Sequence, residues 1–323
     1  MAEFPRTPPR QHNSQTDTLP ANAVPDIGEL IALRRQRGVV PQVAPPQSAT
    51  QTGRHLSRSR GRGMDFDESR PYQPGDDIRT IDWRVTARTT RTHTKIFREE
   101  RERPVYLLVD LRHTMFFGSH QTKSVCAARM AAALAWATLQ RGDRVGALVF
   151  GDSGQRDIRP RRSHHEVLRL IRALHDLAPR QPQSAATPPT LADMMAELAR
   201  IRDNGATVFI ISDFHDRDDH SDRQWYRLAR RHRVVPIMIY DRLEQELPPP
   251  GSYPVSDGER IVQLRTDLPH ERRHFETLFQ NHLQQLEQQA SRLGGRLLSC
   301  RTDADVTALL RGYFGGHGRS RRS

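Results

Sequence analysis

Cysteine is nearly absent from this chain: Cys126 and Cys300 are the two in 323 residues. Two thiols cannot build a disulfide framework or a Cys-rich zinc site. Aromatic residues are scarce at 6%, and hydrophobic residues reach 36%. An ordinary globular chain holds roughly 45–50% apolar residues, counting glycine. A substantial part of the chain is therefore expected outside any core. Lysine occurs only at Lys95 and Lys123, so nearly all positive charge is arginine. Long apolar runs are missing too. The longest, Met130–Leu139, is about half of the ~20 residues that a membrane span requires. The polar, Pro-rich opening MAEFPRTPPR does not read as a secretory signal. The expectation is a soluble, cytoplasmic protein.

The formal net charge is +12, and it is unevenly placed. Met1–Gly63 holds nine arginines against four acids, and Arg311–Ser323 adds four arginines and no acid. The middle of the chain is almost balanced. A basic chain suggests a nucleic-acid partner. Phe4 is the only aromatic before Phe66, which argues against a platform for stacking single-stranded bases. Arginine that keeps disordered ends solvated is the stronger reading.

Residues 1–53 are rich in Pro, Gln, Thr and Ser, a composition that cannot bury enough surface to offset chain ordering. This region reads as a disordered arm. One amphipathic stretch interrupts it: Ile27, Leu30, Ile31 and Leu33 form a helical stripe able to dock on the folded part or on a partner. Residues 54–103 read as a small, charge-dense β-rich unit. From 104 onward, short apolar strands alternate with amphipathic helices. Strands are expected near 105–109, 144–150, 206–212, 234–240 and 296–299. Helices are expected near 122–140, 163–177, 190–203, 221–232, 269–293 and from 303. A hairpin is expected over about 252–265. This alternation predicts an α/β fold: a doubly wound, mostly parallel sheet covered on both faces. Residues 104–240 form its main body, 241–312 a C-terminal extension and 313–323 a disordered basic tail. Pro236 is expected near an edge or a bulge.

Asp110 and Asp213 each directly follow an apolar strand, where open α/β sheets bind ligands. Thr114 and Thr190 add hydroxyls. Two carboxylates and two hydroxyls are hard oxygen donors suited to magnesium. His215–His220 carries the same chemistry but reads as a solvated loop capping the following helix. His164, His165 and Glu166 lack metalloprotease spacing. Both cysteines read as buried thiols. The sequence contains no G-x-x-x-x-G-K-[ST] loop and no G-x-S-x-G elbow, so ATP binding by that loop and esterase-type catalysis have no support.

Asp110-x-x-x-Thr114, with Thr190 and Asp213, resembles the metal-ion-dependent adhesion site of von Willebrand factor A domains. The segment from Arg70 to Arg88, RPYQPGDDIRTIDWRVTAR, is a more specific match. It resembles the hallmark of the bacterial domain-of-unknown-function 58 family, which places it just before an A-type domain. The resemblance covers about residues 54–240, and more loosely to 312. It implies a protein-interaction module, and MoxR-type AAA+ ATPases as partners in assembling or maturing protein complexes. It also marks Arg70, Tyr72, Pro74, Gly75, Asp76, Asp77, Arg79, Asp82, Trp83 and Arg88 as signature residues. Their reading is structural: carboxylates bonded to backbone amides or arginines, with Trp83 as apolar anchor.

The chain departs from the adhesion-site pattern at Arg112, where the pattern has serine. A guanidinium has five donors and no acceptor, so it cannot coordinate a cation. Two arrangements are open. Magnesium sits on Asp110, Thr114, Thr190 and Asp213 despite Arg112; or Arg112 replaces it and grips a partner's carboxylate. In either case the expected function is non-catalytic protein binding at a degenerate adhesion site. The alternatives are an arginine-rich nucleic-acid binder, and a metal-dependent hydrolase built on Asp110, Asp213 and His215.

Overall fold

The computed structural model describes residues 22–36, 64–73, 76–89, 91–99, 104–180, 188–201, 203, 205–256 and 261–315. Its elements run in chain order: α1 (Ile27–Ala32), β1 (Met64–Pro71), α2 (Trp83–Thr89), β2 (His93–Glu99), β3 (Val105–Leu111), α3 (Lys123–Gln140), β4 (Val145–Gly151), β5 (Gly154–Arg161), α4 (His164–Leu177) and α5 (Leu191–Leu198). There follow β6 (Thr207–Ser212), α6 (Asp219–Ala229), β7 (Arg233–Tyr240), α7 (Arg242–Gln245), β8 (Ser252–Ser256), β9 (Ile261–Arg265), α8 (Pro269–Arg292), β10 (Leu298–Arg301) and α9 (Val306–Gly315).

Six strands form the central sheet in the order β10-β7-β6-β3-β4-β5. All neighbours are parallel except β4 and β5. Strand β3 is fully buried, and its residues alternate between the two faces. Leu107, Val109 and Leu111 pack with α3, α4 and α9. Tyr106 and Leu108 pack with residues of α5, α6 and α8 on the other face. The sheet is doubly wound, as expected for a von Willebrand factor A-like domain. Its order reverses beside β3, so the carboxyl ends of β3 and β6 flank the switch-point crevice. The alanine face of α3 lets this helix sit close: Ala127, Ala128, Ala131 and Ala132 are solvent-inaccessible.

Strand β5 departs from the expected pattern. Half of its residues are exposed and Ile158 is the one buried, so an edge strand carrying Arg and Asp gives no apolar run to read. Pro236 lies within β7, at a locally one-sided position. It pairs with Ile210 of β6, while β10 begins opposite the next residue, Ile237. The proline thus sits where β7 still lacks a partner on its far side.

Residues 22–36 dock on the folded part, the first of the two options open to the amphipathic stretch, and so depart from the reading of 1–53 as disordered throughout. Leu30 is buried among α3 and α4. Its carbonyl accepts from Trp136 Nε1 at 3.0 Å, Glu29 pairs with Arg129 at 2.6 Å, and Thr122 binds the Asn22 and Ala23 carbonyls. The tail is corrected too, since Tyr313 and Phe314 are buried in α9. The remaining residues of the arm and tail, and Pro74 and Gly75, lie outside the described residues.

In the small unit β1 and β2 pair antiparallel. Arg70 binds Asp76 at 2.7 Å, and the Asp76 carboxylate accepts from Gln73 N. Tyr72 donates its hydroxyl to the Asp76 carbonyl at 3.5 Å. Asp77 caps a short turn by accepting from Arg79 N. Asp82 accepts from Arg84 N, Val85 N and Ser69 Oγ, fixing the start of α2, in whose last turn Arg88 lies. The signature carboxylates therefore bond mostly backbone amides. Trp83 corrects its expectation as an anchor: it is 68% exposed.

Candidate functional site

Asp110 is the next-to-last residue of β3, and Asp213 follows β6 directly; both are solvent-inaccessible. Beyond Asp213 the chain turns sharply. Phe214 has φ 57°, a conformation costly for a residue with a bulky side chain. Its ring is held by stacking on Trp225, 5.8 Å between centroids. The Ser212 hydroxyl spans the turn, accepting from Phe214 N at 3.0 Å and donating to Asp110 Oδ2 at 2.7 Å. Asp110 and Asp213 thus share one crevice, where the Asp213 charge adds to burial in raising Asp110.

Each carboxylate is met by a cation from the chain itself. Arg112 takes Asp110 as a fork: Nε to Oδ1 at 2.9 Å and Nη2 to Oδ2 at 2.6 Å. Its Nη1 reaches Asp216 Oδ2 at 2.5 Å, and its guanidinium lies 5.1 Å from the centre of the Phe150 ring. Lys123 Nζ binds Asp213 Oδ2 at 2.8 Å and Glu244 Oε1 at 2.6 Å. Lys123 opens α3, where the helix dipole disfavours a positive charge; the two carboxylates offset this. His215 Nε2 lies 3.3 Å from Glu244 Oε1, and its ring stacks on His282, 5.6 Å between centroids.

The titration behaviour follows from this wiring. Burial pushes Asp110 above its ordinary range, against the pull of Arg112. Burial acts on Asp213 the same way, but Lys123 and His215 overcome it and hold this carboxyl well below the usual range. Burial lowers Lys123, yet Asp213 and Glu244 raise it overall. The bond to Glu244 raises His215, while burial lowers His282.

The four residues read as magnesium ligands do not fit that ion as arranged. Magnesium requires open oxygen lone pairs in near-octahedral geometry. Both Asp110 oxygens accept from Arg112 or Ser212, and Asp213 is bound to Lys123. The Thr190 hydroxyl belongs to the capping box of α5 and donates to Asp193 Oδ2 at 2.6 Å. Thr114 Oγ1 is buried and has no partner among the described residues. The reading of Arg112 as the group that grips a partner is also corrected. It is 6% exposed, and its donors are engaged within the chain.

Sequence reasoning missed Lys123, Asp216 and Glu244. Lys123 carried a signal, being one of two lysines in an arginine-rich chain. Asp216 was grouped with the capping loop; Asp218 does cap α6, whereas Asp216 turns to Arg112. Asp241, after β7, is a third strand-end carboxylate. It accepts from Ser119 N, Thr302 Oγ1 and Leu243 N and so ties loops together.

Comparison with known proteins places the chain. The family described as "Protein of unknown function DUF58" matches residues 68–285, a span that contains the Arg70–Arg88 signature. The uncharacterized protein Rv1480 of Mycobacterium tuberculosis is 33% identical over 282 residues, covering 82% of this chain and 86% of that protein. The chain belongs to the DUF58 family. Among solved structures, the conserved hypothetical protein BatB from Bacteroides thetaiotaomicron aligns with a TM-score of 0.43 at 12% identity, covering 68% of this chain and 100% of that one. A von Willebrand factor type A protein from Catenulispora acidiphila aligns with a TM-score of 0.39 at 14% identity, covering 69% and 44%. Among the described residues, no helix is long and apolar enough to cross a membrane.

Proposed function

We propose that this member of the DUF58 family is a non-catalytic protein-docking module whose crevice carries its own cations in place of a divalent ion. The arrangement that supports this reading is Arg112 lodged between Asp110 and Asp216, with Lys123 lodged between Asp213 and Glu244. The two internal charges hold the carboxylates in place, as a bound ion would, without leaving a site for one.

The partner's chemistry follows from the surplus. Four carboxylates face two permanent cations, so the mouth is acidic on a chain that is basic overall. Asp216 is the most exposed of the four, at 28% of its side chain, so an incoming donor meets this carboxylate first. The group that docks is an arginine or lysine of a partner protein. The family resemblance makes a MoxR-type AAA+ ATPase the setting to test first. Binding of such a purified ATPase is measured against wild type and Asp216→Asn, with circular dichroism confirming the fold. The variant is expected to bind about tenfold more weakly, or ~1.4 kcal/mol. Undiminished binding by Asp216→Asn contradicts the docking surface, and no binding by wild type contradicts the assigned partner.

A further inference from the structure

The outer face of α6 carries a pattern different from that of the docking crevice. An open, shallow groove of about 530 Å³ runs along it, lined by Asp219, Asp222, Arg223, Tyr226, Arg227 and Arg230. Tyr226 is 56% exposed. Arg223, Arg227 and Arg230 are exposed, and among the described residues none has a carboxylate partner. Asp219 is exposed and likewise without an ion pair, while Asp222 is held by Arg217 at 2.8 Å. The stripe Asp219, Arg223, Tyr226, Arg230 follows the i, i+4, i+7, i+11 spacing that keeps residues on one helix face.

The six lining residues have a hidden symmetry. They fall into three pairs, each equidistant from the point midway between Gln224 and Trp225: Asp219 with Arg230, Asp222 with Arg227, and Arg223 with Tyr226. An antiparallel copy of the same helix, related by a two-fold axis through that point, therefore meets every acid with an arginine. It also meets the Tyr226 ring with the Arg223 guanidinium. A two-fold interface requires this self-complementarity of one patch, and arginine on an aromatic face adds cation–π attraction. Tyrosine and arginine are also the residue types enriched where interfaces bind most strongly.

We infer that α6 is a homodimer interface, in which two copies pair antiparallel through Asp219–Arg230 and Arg223–Tyr226 contacts. One helix face falls short of the ~1,200 Å² buried in a standard stable interface, so the dimer is weak, in concentration-dependent exchange with monomer, and favoured by low salt.

Sedimentation of the full chain over a range of concentrations tests this. Wild type is expected to approach twice the monomer mass at high concentration. Asp219→Arg alone and Arg230→Asp alone each place like charges opposite one another and are expected to remain monomeric. Mixing these two variants restores both oppositely charged contacts, so the mixture is expected to dimerise although neither component does. The Asp219→Arg/Arg230→Asp double variant is expected to dimerise as wild type does. Acids at a helix start and bases at its end also stabilise the helix itself. If that is their whole role, the single variants lower Tm and leave the mass unchanged. Monomeric wild type, a dimer unmoved by either charge reversal, or failure of the mixture to associate overturns the inference. The ATPase-binding measurement reads the crevice separately.

Discussion

Lys123, at the first position of α3, reaches Asp213 at the end of β6: Nζ and Oδ2 are 2.8 Å apart, and both side chains are almost fully buried. This bond joins the helix layer on one face of the sheet to the crevice at its carboxyl edge. A buried pair of this kind adds little net stability over apolar residues of the same shape, but breaking it is costly. Lys123→Met leaves Asp213 and Glu244 without their cation. Urea unfolding is expected to show a loss of about 3–5 kcal/mol. The Lys123→Met/Asp213→Asn pair is expected to recover part of it, because no isolated charge then remains inside.

The sign of the pH dependence follows from His215. Its folded pKa is raised by the Glu244 bond, so the folded state holds the proton more tightly than the unfolded chain. The stability this supplies is complete below about pH 6.5, the unfolded value, and is lost as pH rises through the folded value. His215 is half exposed, so solvent screening keeps the effect small. The Tm difference between wild type and His215→Gln is expected to narrow as pH rises from 6 to 8. A difference that stays constant or widens contradicts the His215–Glu244 contact.

The docked segment at residues 22–36 has its own signature. Leu30 is 1% exposed and lies in the core beside α3 and α4. Leu30→Ala is expected to cost about 2–5 kcal/mol in chemical unfolding, as large-to-small core substitutions do. A loss near zero would mean that this helix does not belong to the domain core.

Trp83 is the opposite case. A tryptophan 68% exposed contributes little to the fold, so Trp83→Ala is expected to change stability by no more than about 0.5 kcal/mol. Fluorescence emission from a variant retaining only this tryptophan is expected near the wavelength of free indole in water. A strongly blue-shifted band contradicts its exposure.

Most of the main domain was legible because its strands are apolar runs bounded by aspartate or glycine. Val105–Val109 and Ala206–Ser212 read as buried strands, and the periodic helices between them read as their covers. Strand β5 was not legible, since an edge strand of Arg, Asp and Pro has no burial pattern to betray it. Of the site, Asp110, Asp213 and Arg112 were found because strand ends and a broken ligand pattern are local features. Lys123 and Glu244 were not. Their meeting depends on how α3 and α7 converge over β6, a relation carried by tertiary packing. Trp83 was misjudged because its bulk suggested an anchor, whereas Asp82 and the backbone amides hold the start of α2.

The central claim is that internal cations stand in the crevice where a divalent ion would otherwise bind. Magnesium titration of wild type and Arg112→Ser, followed by heat and by thermal shift, tests it most directly. Wild type is expected to show neither heat nor shift. Arg112→Ser, which removes the guanidinium from both Asp110 oxygens and adds a hydroxyl oxygen, is expected to gain both. Equally tight magnesium binding by the two proteins would contradict the account.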